Sequence, residues 1–168
     1  MSLNKLKLED ELIKLADKAA KVIIRKKNTV AIAESVTSGN IQAALSLATN
    51  AISFYQGGIT VYNIGQKCRH LLIEPTHAIE CNCVSQKVSN EMAIGVAGMF
   101  SADIGIGITG YASPVPEEKI KNLFAYVSVS KHGKIILSKK ITGAKGPPSE
   151  AQLFFTKQVL KLLPALLV

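Results

Sequence analysis

Three short stretches hold the side chains whose types and spacing could do chemistry. Glu34-Ser35-Val36-Thr37-Ser38-Gly39 mixes hydroxyls with small residues just ahead of a helical pattern. Helix N-terminal amides together with Ser35, Thr37 and Ser38 would make a phosphate cradle. The same residue types are ordinary helix N-caps, and by type alone capping is the preferred reading. Thr109-Gly110-Tyr111-Ala112-Ser113-Pro114 forms a second polar loop. Tyr62 and Lys67, five residues apart, make the third element: a lysine near a phenol and a hydroxyl acts as a base once burial lowers its pKa. The ordinary state of both types is plainer, a surface lysine and a partly buried tyrosine.

Other patterns carry less. Gly105-Ile106-Gly107-Ile108-Thr109-Gly110 has a glycine spacing that runs through a strand, so it is no dinucleotide fingerprint. Cys81-x-Cys83 is too tight for a zinc knuckle, and Cys68 adds no second pair. His70, His77 and His132 lie apart. No metal and no cofactor is expected.

The elements that must position these residues follow from periodicity. Leu8, Leu12, Leu15, Ala16, Ala19, Val22 and Ile23 repeat at helical spacing up to Arg25-Lys26-Lys27, a basic run suited to a helix C-terminus. Residues 29–33 read as a strand, 40–48 as a helix, 58–62 as a strand and 64–72 as a short helix. Residues 84–100 read as a helix capped by Ser85, and 104–108 as a buried strand whose glycines let something approach closely. A hairpin is predicted over 123–130 and 134–141 with His132-Gly133 near its turn, followed by a helix over 149–163. Strands alternating with helices imply an α/β sheet covered on both faces. Ligands in such folds gather where strands end, at loops 34–39 and 109–114.

Composition bounds the rest. The 168 residues are 48% hydrophobic and 19% charged, which excludes bulk disorder and suits one domain. No stretch approaches a membrane span, and the start has no compact apolar segment before a cleavage site. A cytoplasmic protein with reduced thiols is expected. Lysine plus arginine total 20 against 12 acids, a net charge of +8, which favours anionic partners. Without an aromatic platform or recognised motif, nucleic acid is not the expected one.

With these residues in view, the chain resembles the CinA C-terminal domain, the nicotinamide-nucleotide amidohydrolase family. Residues 34–39 resemble its E-S-C-T-G-G loop, and Phe54 to Asn63 resemble its Y-F-x-G-G-x-x-x-Y-S segment. Lys67 falls on its lysine, Val84-Ser85 on its V-S, and residues 109–114 on its T-G-I-A-G-P. The resemblance implies a three-layer α/β/α sandwich with a mixed, mostly parallel sheet. One domain over 1–168 is expected, with an amphipathic helix at 1–27 and an α/β body over 29–168; family members often follow another domain, and the length and first helix suggest a stand-alone form here. It further implies metal-independent hydrolysis of nicotinamide mononucleotide to nicotinate mononucleotide and ammonia.

Carried over residue by residue, Tyr62 and Lys67 take assisting roles and Thr109 a hydroxyl position beside the substrate. Ser35, Thr37, Ser38, Gly39, Gly110 and Lys145 fall on ligand-lining positions. The resemblance puts the nucleophile ten residues before the tyrosine, where this chain has Ile52, with Ser53 next to it. Lys145 stands where the family has an arginine, and Ser113 where it has a glycine. Two expectations follow. One, which the residues favour, is a degraded homologue that keeps a nucleotide pocket; the other is an active amidohydrolase using Ser53 or Ser35. The ligand expected is a phosphorylated nucleotide. No membrane partner is expected, and a homo-oligomer is compatible with the sequence.

Overall fold

The computed structural model describes the backbone of residues 3–167 and side chains from residue 10 onward. Helix α1 (Leu3–Arg25) buries Leu12, Ala16, Ala19, Ala20 and Ile23 along one stripe. Leu8, the first position predicted for that stripe, lies outside the described side chains. The helix stops with Arg25 in its last turn, and Lys27 at φ 55 redirects the chain.

There follow β1 (Val30–Glu34), α2 (Asn40–Ser46), a 3-10 turn (Ala51–Ser53) and β2 (Tyr55–Thr60). Next come α3 (Ile64–Leu71), α4 (Pro75–Glu80), α5 (Gln86–Met99) and β3 (Ile104–Tyr111). A second 3-10 turn (Pro116–Glu118) leads to β4 (Leu123–Lys131), β5 (Lys134–Ala144) and α6 (Pro148–Leu166). One sheet runs in the order β2-β1-β3-β4-β5, with β1 parallel to both β2 and β3. The β3–β4 and β4–β5 pairs are antiparallel, so β4 alone runs against the other four strands. This is the mixed, mostly parallel sheet expected. The predicted hairpin turns through His132 at φ 48 and Gly133 at φ 75, the backbone that a tight two-residue turn needs.

Alternating strand residues feed two cores. Val30, Ile32, Ile104, Ile106 and Ile108 pack with α1, α2 and α6, while Ala31 and Ala33 pack with α3, α4 and α5 on the opposite face. Three layers result, as the resemblance implied. At the far end from the loops of interest, the Asp103 carboxylate accepts from the Thr29 amide and hydroxyl at 2.8 and 2.9 Å, tying the starts of β1 and β3 together.

Three elements depart from the sequence reading. Strand β3 runs on through Thr109-Gly110-Tyr111, read as loop, because these residues pair with Tyr126, Ala125 and Phe124 of β4. Strand β2 begins at Tyr55 rather than 58, because Gly57-Gly58 lacks a strand signature but meets a backbone demand. Gly57 takes φ 131, and a Cβ on Gly58 would sit 2.6 Å from the Ile32 carbonyl. Helix α4 was not expected: at six residues it is too short for periodicity. It starts on a carboxylate, Glu74, that accepts from the Thr76 and His77 amides at 2.8 Å, with Pro75 at its first position.

The object that approaches the β3 glycines is α5. A Cβ on Gly107 would meet the Ser89 carbonyl at 2.5 Å and the Ala93 nitrogen at 2.6 Å, both backbone and unable to swing aside. Gly107→Ala should therefore destabilise the fold by about 1–3 kcal/mol, the range for overpacking a close contact. Urea unfolding of the variant against wild type measures this.

Candidate functional site

Strands β1, β2 and β3 run parallel and end on the same side of the sheet. The chain leaves β1 toward one face through α2 and leaves β2 toward the other through α3, so a crevice opens between the strand ends. A cavity of about 550 Å³ fills it. Lys67 is the only charged residue among those lining it.

Lys67 sits one turn into α3, which starts on an Asn63 cap whose side chain accepts from the Gln66 amide. That turn directs the lysine inward, and only 1% of its surface is exposed. Its amine reaches the Val61 and Tyr62 carbonyls, each at 2.9 Å, and Ser35 Oγ at 3.0 Å. No carboxylate is among these three partners. Burial pushes the Lys67 pKa down, and the nearby Cys83 and Cys68 thiols oppose this only in part. Once neutral, the amine keeps two protons for the two carbonyls, and its lone pair faces the Ser35 hydroxyl.

Ser35 is held where this contact needs it. Its amide donates to the Ile108 carbonyl of β3, and the preceding Glu34 carbonyl accepts from the Val61 amide beside β2. Thr109, fully buried, lines the same cavity and donates from Oγ1 to the Cys83 carbonyl at 2.8 Å. Asn82 and Cys83 both take left-handed φ values, 47 and 60, in the turn that supplies this carbonyl. Burial raises the Cys83 thiol pKa, and Lys67 partly offsets that. Gly110 and Ser113 also line the cavity.

Several expected residues stand elsewhere. Ile52 and Ser53 occupy the 3-10 turn that leads into β2, while Tyr62 and Lys67 follow its far end. Six strand residues separate them, a span of about 20 Å at ~3.3 Å per residue. Ile52 is 94% exposed and neither residue lines the cavity, so within one chain the hydroxyl beside Lys67 is that of Ser35. Tyr62 lines the rim but is 79% exposed, and it serves the lysine through its carbonyl rather than its phenol. Lys145 is exposed in the turn between β5 and α6 and lies outside the lining.

At α2 the preferred reading, a hydroxyl cap, is not met, and the alternative phosphate cradle is occupied from within. The Glu34 carboxylate, wholly buried, accepts from the Gly39, Ile41 and Gln42 amides at 3.0, 3.2 and 2.8 Å. No hydroxyl caps the helix. Ser38 Oγ instead donates weakly to the Ser35 carbonyl and accepts from Gln152 of α6. Thr37 Oγ1 is buried without a hydrogen-bond partner among the described residues. Sequence reasoning passed over Glu34, Asn82, Tyr111 and Gln152. Glu34 alone carried a signal, a carboxylate six residues before a helix, and no short-range capping rule reaches that far. Among the described residues, no three histidine, cysteine or acidic side chains converge into a metal site. Nor is any described helix long and apolar enough to cross a membrane.

The fold and this crevice define a mixed α/β sandwich with a buried lysine paired to a serine at the parallel strand ends. Residues 12–167 match the model of the CinA C-terminal domain, and the chain belongs to that family. It is 32% identical over 133 residues to a putative competence-damage inducible protein of Natranaerobius thermophilus, covering 77% of this chain and 32% of that one. It is 33% identical over 128 residues to the namesake in Clostridioides difficile, covering 76% and 31%. The chain thus spans about a third of the length of these curated relatives. A competence or damage-inducible protein of Enterobacter asburiae superposes with a TM-score of 0.87 at 25% identity, covering 94% of this chain and 98% of that one. A CinA superfamily protein of Klebsiella pneumoniae gives 0.87 at 24%, which speaks to the fold alone.

Lys67 leaves a mark on stability. With its folded pKa below the ordinary 10.5, the unfolded chain binds a proton that the native state has lost between those two values. Stability conferred at this position should therefore rise with pH through that window. Denaturation of wild type and Lys67→Met across pH 7 to 10.5 should show the rise only in wild type.

Proposed function

We propose that this domain is a metal-independent amidohydrolase of the cytoplasm that cleaves the carboxamide of nicotinamide mononucleotide, with Ser35 as nucleophile and Lys67 as base. The observation that carries the reading is the 3.0 Å contact between Lys67 Nζ and Ser35 Oγ inside the cavity. The substrate itself rests on the family resemblance.

In the proposed reaction Ser35 Oγ bonds to the amide carbon while its proton passes to the neutral Lys67 amine. The tetrahedral adduct collapses by breaking the C–N bond. Lys67 returns the proton to the leaving nitrogen, and ammonia departs. Water, deprotonated by the same amine, then cleaves the ester and restores the serine. Lys67 must start neutral; burial and the absence of a carboxylate at its amine push its pKa that way, against the two carbonyls that accept from it. Thr109 and Gly110 are assigned to the wall beside the carboxamide, and Lys145, three residues before Pro148 at the rim, to the phosphate.

The degraded-homologue reading rested on Ile52 together with departures such as Lys145 and Ser113. The Ser35–Lys67 contact supports the active reading against the first of these, because it offers a serine and a base away from the 52–53 turn.

Ammonia release from nicotinamide mononucleotide tests the assignment. Ser35→Ala and Lys67→Met should each lower kcat by about a thousandfold or more, the scale for losing a nucleophile or its base. Ile52→Ser and Ser53→Ala should stay within about threefold of wild type, as surface changes do. Rate should climb with pH on the acid side until Lys67 is neutral, then level. Absence of turnover in wild type, or loss of it in Ser53→Ala instead, would overturn the reading.

A further inference from the structure

We infer that Glu34 is the positioning residue of this site: its buried carboxylate fixes the loop that presents Ser35 to Lys67. The inference deepens the proposed use of Ser35 and rests on it.

The loop leaves the sheet at Glu34 and returns at Gly39, with Ser35 at its root. Its outgoing limb is fastened to neighbouring strands by main-chain bonds, from Val61 N to the Glu34 carbonyl at 2.8 Å and from Ser35 N to the Ile108 carbonyl at 3.1 Å. Its returning limb is fastened by Glu34 itself. One carboxylate oxygen accepts from Gly39 N and Ile41 N, and the other from Gln42 N. A closing bond from Ser38 N to the Ser35 carbonyl at 3.2 Å completes the ring.

The side chain that anchors the loop's return therefore belongs to the residue bonded to the nucleophile. Gly39 at φ 97 makes this turn without a Cβ penalty. Both carboxylate oxygens act as acceptors, so an amide in this place turns an NH₂ group against at least one main-chain N–H. Aspartate keeps the charge but, one methylene shorter, cannot reach the same amides from a fixed strand end. The hydroxyls of Thr37 and Ser38 do not substitute, because neither accepts from an α2 amide.

The consequence concerns rate rather than affinity. A loosened loop lets Ser35 Oγ drift from the Lys67 amine, and near-attack geometry is lost while the cavity walls on β3 and α3 remain. The test measures the nucleophile without relying on any particular substrate. A fluorophosphonate reacts with an activated serine by forming an O–P bond and expelling fluoride as the hydroxyl proton passes to the base. Its inactivation rate constant is read for wild type, Glu34→Gln and Glu34→Asp, with the modified residue identified by peptide mass. Asp103→Asn serves as a control, because it loosens the opposite end of the sheet.

Both Glu34 variants should label Ser35 at least tenfold more slowly than wild type. On nicotinamide mononucleotide they should lose kcat by a similar factor with KM within threefold. Asp103→Asn should label at the wild-type rate even where its melting temperature falls as far. Equal labelling rates in wild type and a folded Glu34 variant would overturn the inference, as would a loss confined to KM. If Glu34→Gln does not fold, Glu34→Asp decides alone. Failure of wild type to label at Ser35 would overturn the nucleophile assignment itself, a result distinct from either of these.

Discussion

Much of this site depends on one cation buried without an anion at its side. Lys67 is taken out of water by the start of α3 and the ends of β1 and β2, and two main-chain carbonyls and one hydroxyl receive it. A lone ammonium in such a place pays a desolvation cost that the neutral amine escapes. Burial therefore lowers the Lys67 pKa from its ordinary value, toward the form able to accept a proton. The carbonyls matter because they fix which direction the lone pair faces, and that direction is Ser35.

The sheet supplies the geometry that makes this arrangement hold. Three parallel strands bring Glu34, Tyr62 and Thr109 to one side of the molecule, and the chain leaves β1 and β2 toward opposite faces. Close contact between α5 and β3 depends on glycine, since Gly107 leaves no room for a Cβ against the helix backbone. The loop after β1 is closed by its own first carboxylate rather than by a serine or threonine cap. That choice removes α2 as an anion site and turns its amide groups into a clamp on the nucleophile loop.

Much of the architecture was legible in the sequence. The apolar stripe of α1, the Ser85 cap of α5 and the His132-Gly133 turn each follow from local rules, and each is present. Strand β2 was misplaced because its glycines answer to neighbouring strands rather than to propensity. Within the site, Lys67 and Ser35 were each singled out, but nothing in their separation of 32 residues shows that their side chains meet. Register between β1 and β2 decides that, and register is tertiary information. Nor does the sequence show that Ile52 and Lys67 stand at opposite ends of β2, about 20 Å apart within one chain. Glu34 escaped notice because its partners lie five to eight residues ahead, beyond the span over which helix caps are read.

The most direct measurement of the central claim is the site of the covalent intermediate. Rapid acid quench of the protein turning over nicotinamide mononucleotide, followed by peptide mass analysis with fragmentation, locates the acyl group. The account predicts a nicotinate mononucleotide ester on Ser35, absent from Lys67→Met. An ester on Ser53, or turnover with no acylated serine, would contradict it.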